Sequence, residues 1–499
     1  MKRFQNSRRD FLRNLGCIVC GGTASALIPQ LRMMGTALAA TSSFADYRAL
    51  VCVYIAGGND SWNMLVPYDA ARYGTYRNSR GGVYDPVNNT GGLALARPAL
   101  GDAQIVTDAA DASQYFLHPR LLNLASIYKQ NRLAFVVNSG TLVAPIDMGD
   151  YNASTANRPP QLFSHADQEN LWHQANTSAG SALGWGGLCA DNLQNAGANY
   201  TGIGTTLGAP QLSLCVSVSG ANRFEVGTQV VPYQMSSSGL NTLRGMCNTP
   251  PCGTSTSARD SALNALLGAT YANDFGNEYA ATFKRGRDLY AMLNPGLNAT
   301  TLTATFPDTS LGNQLEVVAK MIALSKAQNY AARQIYYVRL GGFDMHSGLF
   351  SSNPNSTTDH AGLLTQLDQA LGAFWTELAA QGAQDQVTTF TASEFARTLQ
   401  SNGSGSDHGW GGVQMAFGGA VSGGRLYSNG LGKISGFPNQ AYGSGGNPNA
   451  FSRGQLIPGI SVDQYAATLA QWLGVTAAAD LNAIFPNLHN FGTSNLGFV

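Results

Sequence analysis

Charge is scarce in this sequence and shows no excess of either sign. Only 12% of the 499 residues are charged, and the 29 Lys and Arg residues balance the 29 Asp and Glu residues. A chain without a charge excess has no long-range attraction for a polyelectrolyte, so a nucleic-acid partner is not expected. Beyond the N-terminal segment there is also no run of about 18 apolar residues, so no permanent membrane anchor is expected.

Several catalytic signatures are absent as well. The sequence contains no G-x-S-x-G nucleophile elbow, no H-E-x-x-H zinc motif and no G-K-[ST] phosphate loop. These absences argue against an α/β-hydrolase, a zincin protease and a P-loop nucleotidase.

Cysteines are few, and their positions suggest two roles. Two of the seven fall in the N-terminal segment. Cys247 and Cys252 bracket a short turn with two prolines, and this pair could close as a disulfide in an oxidising compartment. No second Cys or Cys/His pair lies nearby, which disfavours a zinc knuckle. Cys52 and Cys215 lie in apolar runs, so they are predicted to be core residues.

The N-terminal segment has the form of an export signal. Arg8 and Arg9 stand directly ahead of an apolar stretch, 15–27, that glycines interrupt and that is too short to span a bilayer permanently. An A-x-A pattern at 37–39 predicts cleavage before Ala40. We therefore expect a twin-arginine (Tat) signal peptide at 1–39, recognition by the Tat export machinery, and a mature protein that is periplasmic or secreted.

The mature chain, 40–499, suits one large α/β domain. Apolar, β-branched runs that end in polar loops predict buried strands of a parallel or mixed sheet, at 49–56, 132–138, 334–340 and 386–390. Apolar residues at helical spacing predict helices at 314–327, 360–380 and 462–473. The segment 176–308 is rich in Ser, Thr, Asn and Gly without a dominant period, and it is interpreted as insertion loops and a cap around the substrate region.

Four polar clusters stand after strand-like runs, and open α/β sheets collect their ligands at strand ends. They contain Asp60 in GGNDSWN, Asp344 and His346 in GGFDMHS, Glu394 in TASEFART, and Asp407 and His408 in GSGSDHGWGG. Carboxylates and neutral imidazoles are ligands for Zn²⁺ or Mn²⁺, and carboxylates gathered in one pocket repel one another unless a cation lies between them. The alternative is that each Asp is a turn residue, as is common after a glycine pair.

Ser164 and His165, in LFSHADQENLW, stand at the predicted start of a helix. With Asp167 three residues later, Ser164 fits an N-terminal cap. A serine at a helix N-terminus is also well placed for attack or for contact with an anionic substrate. Both interpretations stay open. Arg397, near Glu394, could neutralise an anionic substrate or pair with that glutamate.

The ordered series GGND, SH before a helix, GGFDMHS, SEFAR and DHGWGG resembles the DUF1501 family of exported twin-arginine proteins, which is similar to the alkaline phosphatase and sulfatase superfamily. The resemblance implies a three-layer α/β fold with a mostly parallel central sheet, helices on both faces and loop-rich insertions. It also implies a two-metal hydrolase core. In that core Asp60, Ser164, Asp407 and His408 would surround one cation, and Asp344 with His346 would help to hold the other.

The sequence departs from the superfamily pattern in three places. One residue separates Asp344 from His346 instead of the customary three. The late histidine ligand has only His489 as a candidate, and Glu394 could take its place. No C-x-P-x-R or S-x-P-x-R stretch is present, which disfavours a formylglycine sulfatase.

The leading hypothesis is an exported metal-dependent hydrolase of phosphate or related oxyanion esters. It would use one or two divalent ions, Zn or Mn in preference to Ca or Mg, on a small-molecule or envelope-associated anionic substrate. Ser164, His165 and Glu394 are its candidate catalytic residues, and its candidate metal ligands are Asp60, Asp344, His346, Asp407 and His408. The alternative is an inactive relative that binds envelope glycans or a partner protein.

Overall fold

A computed structural model describes residues 44–153, 158–176, 182–198, 212–240, 254–353 and 355–499. Its strands are β1 (Arg48–Ile55), β2 (Leu65–Pro67), β3 (Ile105–Thr107), β4 (Gln114–Leu117), β5 (Leu133–Gly140), β6 (Cys215–Ser217), β7 (Tyr233–Gln234), β8 (Arg333–Leu340), β9 (Val387–Ala392), β10 (Arg397–Ser401), β11 (Ser406–His408), β12 (Gly412–Gly418), β13 (Arg425–Tyr427) and β14 (Ile460–Ser461). The predicted signal peptide and the Cys247 and Cys252 pair lie outside the described residues.

The helices in the same part of the chain are α1 (Ala70–Ser79), α2 (Leu122–Lys129), α3 (Met148–Ala153), α4 (His165–Gln174), α5 (Trp185–Asn195), α6 (Thr254–Leu267), α7 (Asp274–Ala299), α8 (Ser310–Gln328), α9 (His360–Ala380), α10 (Val462–Leu473) and α11 (Ala478–Ile484). None of the described helices is long and apolar enough to cross a membrane.

One large sheet organises the described part of the chain. Its strand order is β13-β5-β12-β9-β1-β8-β6-β7, and β14 also pairs with β5. Only β12 runs antiparallel to its neighbours, β5 and β9, and the other pairs in this sheet are parallel. The predicted α/β fold with a mostly parallel central sheet is therefore confirmed.

Alternate residues of β1 face opposite sides of the sheet, as the two-residue repeat of a strand requires. Val51 and Val53 belong to a core with residues of α2, α8 and α9. Cys52 and Tyr54 belong to a second core with residues of α4, α5, α10 and α11. Because helices cover both faces, the central strands are apolar on both sides and read as continuous hydrophobic runs.

The four predicted strands correspond to β1, β5, β8 and β9. The three predicted helices correspond to α8, α9 and α10, and the last two have the predicted bounds. Leu364, Leu367 and Leu371 of α9 are fully buried, and each contributes about 1.5–3 kcal/mol to folding. Cys52 and Cys215 are buried, as predicted.

The segment 176–308 contains more regular structure than the sequence analysis anticipates. Strands β6 and β7 extend the central sheet, and α5 packs into one of its cores. Helix α7 covers 26 residues and buries Leu289, Leu293 and Leu297. That this segment forms a cap over the substrate region stays a prediction.

Strands β9, β1 and β8 are adjacent and parallel, so their carboxyl ends meet at one edge of the sheet. Gly57, after β1, has φ +116°, and a Cβ there would lie 2.3 Å from the Asp344 backbone nitrogen. Glycine therefore permits the close approach of the loops after β1 and β8. This edge carries the polar clusters described above.

Candidate metal centre

Three histidines and one aspartate meet at the carboxyl edge of the sheet. His165 is the first residue of α4, Asp344 and His346 follow β8, and His408 ends β11. Ligand-competent atoms of His165, Asp344 and His408 all lie within 4.8 Å of one another. His346 joins them, because its Nε2 lies 3.2 Å from Asp344 Oδ1 and 2.9 Å from His408 Nε2. These four residues are called the histidine cluster below.

A hydrogen bond fixes the tautomer of each imidazole in the histidine cluster. His165 Nδ1 lies 2.9 Å from Glu394 Oε1, and His346 Nδ1 lies 2.8 Å from Asp407 Oδ1. A carboxylate can only accept, so each of these Nδ1–H groups donates. His408 Nδ1 donates in the same way to the Phe163 carbonyl oxygen at 2.6 Å. In the neutral form of each ring, Nε2 therefore carries the lone pair.

The three lone pairs are directed at Asp344. Its Oδ2 lies 3.4 Å from His165 Nε2, and its Oδ1 lies 3.5 Å from His408 Nε2. His165 Nε2 is buried without a hydrogen-bond partner among the described residues. Facing lone pairs 2.9 Å apart, as in His346 and His408, are repulsive unless a proton or a cation lies between them.

The spacing of these atoms fits a bound cation. Tetrahedral zinc with bonds of about 2.0–2.1 Å separates its ligand atoms by about 3.3 Å. In the histidine cluster, the distances between these neighbouring nitrogen and oxygen atoms run from 2.9 to 3.5 Å. A metal-binding histidine commonly donates its other N–H to a carboxylate or carbonyl, which is the arrangement of all three imidazoles. The cluster is therefore a candidate metal site of three imidazoles and one carboxylate.

The imidazole environments differ in their electrostatics. The hydrogen bond to Glu394 raises the pKa of His165, although partial burial opposes it. Burial lowers the pKa of His408, and the bond to the Phe163 carbonyl offsets part of this effect. His408 is therefore held in the neutral form that a metal ligand requires.

The carboxylates are held ionised. Burial tends to raise the pKa of Asp344, but the charge and the 2.9 Å hydrogen bond of Arg397 bring it below its usual value. Burial also tends to raise the pKa of Asp407, but hydrogen bonds from Asn402, His346 and Arg453 lower it to about 2.

Backbone conformation at Phe163 supports the cluster. Phe163 has φ +72°, a left-handed conformation that is rare for a bulky residue and is typically maintained by surrounding structure at a functional site. Its carbonyl oxygen meets His408 Nδ1 across 245 positions of sequence. No local sequence signal identifies this contact.

Ser164 lies beside the cluster but does not cap α4 with its side chain. It occupies the N-cap position, yet its hydroxyl accepts no backbone N–H there. Instead its Oγ–H donates to Asp167 Oδ2 at 2.6 Å. The serine hydroxyl immediately before His165 is therefore hydrogen-bonded to a carboxylate that can accept its proton.

The other predicted site residues lie around the cluster or away from it. Glu394 and Asp407 contact imidazole Nδ1 atoms, and they hold ligands in place. Asp60 is 1% exposed and its carboxylate pairs with Arg80. His489 donates to the Pro486 carbonyl in a short 3₁₀-helix, Leu488–Asn490. Arg397 pairs with Asp344, and Arg453, which stands in none of the sequence motifs, pairs with Asp407.

One family model matches the chain. Its description is "Protein of unknown function (DUF1501)", and it covers residues 294–432. This range includes Asp344, His346, Glu394, Asp407 and His408, whereas His165 lies outside it. No curated protein matches the sequence.

Several solved structures are similar at low identity. Ps i-CgsB in complex with k-i-k-neocarrahexaose is 10% identical, with 89% of this chain and 77% of that chain covered and a TM-score of 0.33. The lipoteichoic acid synthase LtaP from Listeria monocytogenes is 7% identical, with coverages of 80% and 73% and a TM-score of 0.28. The PsFucS1 sulfatase from Pseudoalteromonas sp. is 9% identical, with coverages of 81% and 68% and a TM-score of 0.27.

Proposed function

We propose that this protein is a metal-dependent hydrolase of phosphate or related oxyanion esters. The observation that carries the proposal is the convergence of three imidazole Nε2 lone pairs on the Asp344 carboxylate, at 3.2–3.5 Å. Imidazole and carboxylate ligands favour Zn²⁺ or Mn²⁺ over Ca²⁺ or Mg²⁺. His165, His346, His408 and Asp344 would hold the ion, and when bound it would act as a Lewis acid on a phosphoryl or sulfuryl oxygen.

The residues around the histidine cluster hold its imidazole rings in fixed orientations. Glu394 is buried and also accepts from the Gly57 backbone N–H at 2.8 Å, so its carboxylate cannot turn away from His165. Asp407 holds His346, and the Phe163 carbonyl holds His408. With all three rings fixed in one tautomer, the site is organised before a metal or substrate enters.

Ser164 is the proposed nucleophile. Its Oγ would form a bond to the phosphorus or sulfur atom of the ester while the bond to the leaving oxygen breaks. The hydroxyl proton would pass to Asp167, whose Oδ2 already accepts it as a hydrogen bond at 2.6 Å. The leaving oxygen would depart as an alcohol or phenol with the proton that Asp167 received. Water would then attack the phosphorus or sulfur atom, the bond to Oγ would break, and a proton from the water would restore the hydroxyl group as the oxyanion leaves.

The predicted leader implies that this reaction takes place outside the cytoplasm, after Tat export of the folded protein. The substrate would then be a small-molecule or envelope-associated anionic ester. The competing function is that of an inactive relative which keeps one structural ion and binds envelope glycans or a partner protein.

The test is elemental analysis of the purified mature protein, combined with turnover of an aryl phosphate and an aryl sulfate. Bound Zn or Mn, with turnover that a chelator abolishes and the metal restores, is the expected result. His165→Ala should lose the metal and the activity together. His489→Ala removes a surface histidine outside the cluster and should change neither.

Two outcomes would contradict the proposal. A protein that binds no divalent ion would remove its basis. A tightly bound ion without turnover of either ester would favour the inactive binding protein.

A further inference from the structure

The resemblance to two-metal hydrolases requires ligands for a second cation, and Asp60 is the first candidate. The side chains of Asp60 and Arg80 are 1% and 0% exposed, and they form an ion pair. Arg80 also donates to the Thr398 carbonyl at 2.9 Å. The guanidinium group neutralises the carboxylate through Oδ2, and Oδ1 is buried without a hydrogen-bond partner among the described residues. A metal at Asp60 would therefore have to compete with a buried guanidinium group for the same carboxylate.

Asp344 is the second candidate, because a carboxylate can bridge two cations. Its Oδ1 accepts a hydrogen bond from Arg397, whose side chain is 0% exposed. Arg397 directly precedes Thr398 on β10, so the two guanidinium groups are held by the same strand. Burial lowers the pKa of Arg397, and the charges of Asp344, Asp60 and Asp407 counteract that effect. Arg397 therefore neutralises the carboxylate that would have to bridge the two cations.

Asp407 is the third candidate, and both of its oxygens are engaged. Oδ1 accepts from His346 Nδ1 at 2.8 Å and from Asn402 Nδ2 at 3.0 Å. Oδ2 pairs with Arg453. A metal at either oxygen would therefore have to share it with partners that are already in place, one of them a guanidinium group.

The ion pairs around the histidine cluster also argue against a second cation. Each of the three candidate carboxylates is paired with a guanidinium group: Asp60 with Arg80, Asp344 with Arg397, and Asp407 with Arg453. A second divalent ion would be held close to these guanidinium groups and would be repelled by their charge.

We infer that the site holds one divalent cation, and that Arg80 and Arg397 replace the second cation that the resemblance implies. This inference rests on the proposed function, since it concerns the same site. The two arginines are positioning residues: they neutralise Asp60 and orient Asp344 towards the imidazoles. Their charge is permanent, because a guanidinium group stays protonated in proteins.

Metal stoichiometry tests this inference. The purified mature protein is loaded with excess Mn²⁺, freed of unbound ion, and measured by elemental analysis and by electron paramagnetic resonance. One equivalent with the hyperfine pattern of an isolated ion is the expected result. Two equivalents, or the spectrum of a magnetically coupled pair, would overturn the inference and leave the proposed function intact. No bound metal would overturn both.

A double variant, Asp60→Asn with Arg80→Met, tests the role of Asp60. It removes both members of the buried ion pair, so no unpaired charge is left behind. The variant should still bind one equivalent of Mn²⁺. Loss of one equivalent relative to the unaltered protein would show that Asp60 is a ligand. The measurement on the unaltered protein stands by itself if this variant does not fold.

Discussion

The His165 imidazole donates its Nδ1 hydrogen to the buried Glu394 carboxylate across 2.9 Å, and this bond directs Nε2 towards Asp344. Glu394 is held in turn by the Tyr54 hydroxyl at 3.2 Å and by the Gly57 backbone N–H at 2.8 Å. The orientation of a proposed metal ligand therefore depends on residues from β1 and from the loops after β1 and β9.

Replacing Glu394 by Gln should weaken metal binding. The amide keeps the shape of the side chain but removes the charge that favours the Nδ1–H tautomer of His165. Loss of such a partner typically reduces metal affinity about 10–100-fold. Competition with a chelating dye measures the change. Glu316→Gln, on the partly exposed side of α8, is the matched control, and equal affinity in both variants would refute the positioning role of Glu394.

Replacing Ser164 by Ala should separate chemistry from metal binding. The variant loses the proposed nucleophile and keeps all four residues of the histidine cluster. Turnover of an aryl phosphate should fall by about 10³-fold or more, with unchanged metal content. Ser404→Ala, in the exposed turn between β10 and β11, provides a serine control near the site. If Ser164→Ala retained full turnover, Ser164 would be only the residue at which α4 begins.

A buried glutamate away from the site should make stability depend on pH. Burial raises the pKa of Glu225 to about 8, and the hydrogen bond from Asn222 offsets only part of this shift. The folded state therefore holds a proton that the unfolded state releases above pH 4.5. Stability from this group is present below that pH and is lost as the pH rises to about 8, by on the order of 5 kcal/mol.

Glu225→Gln should remove that dependence. The variant should match the unaltered protein at about pH 5 and unfold at a higher temperature at about pH 9, because its amide never ionises. Thermal unfolding at the two pH values is the measurement. Glu278→Gln, which changes an exposed carboxylate whose pKa is lowered, should show no such gain between these pH values. An equal response of Glu225→Gln at both pH values would contradict the assignment.

The sequence predicts the core elements well, because buried parallel strands and amphipathic helices leave strong local patterns. Strand β1 is an apolar run from Ala49 to Ile55, and α9 repeats leucine at helical spacing. Helix α7 escapes prediction, since it contains Pro295 and buries only four residues out of 26. This helix is stabilised by packing against other parts of the protein, and such packing cannot be predicted from the local sequence.

The candidate site can likewise be predicted from the sequence only in part. The ends of β8 and β9 identify Asp344, His346 and Glu394 as neighbours, since parallel strands deliver their loops to one edge. His408 ends β11, which pairs antiparallel with β10 in a separate two-stranded sheet, so this rule does not place it. The partners of these residues are not predictable in the same way. Asp407 and Arg453 are 46 positions apart, and His165 and Glu394 are 229 positions apart. Which carboxylate meets an imidazole and which meets an arginine is decided only when the loops pack.

The bond between the Phe163 carbonyl and His408 joins segments 245 positions apart. A nascent chain that has emerged only as far as α9 possesses His165, Asp344 and His346 but lacks the third imidazole. The ion can then bind with its full affinity only after the later strands have folded, so occupancy of the metal site would indicate that folding is complete. For a protein whose leader predicts passage through a translocon for folded cargo, the ion would be acquired in the cytoplasm and carried across with the chain.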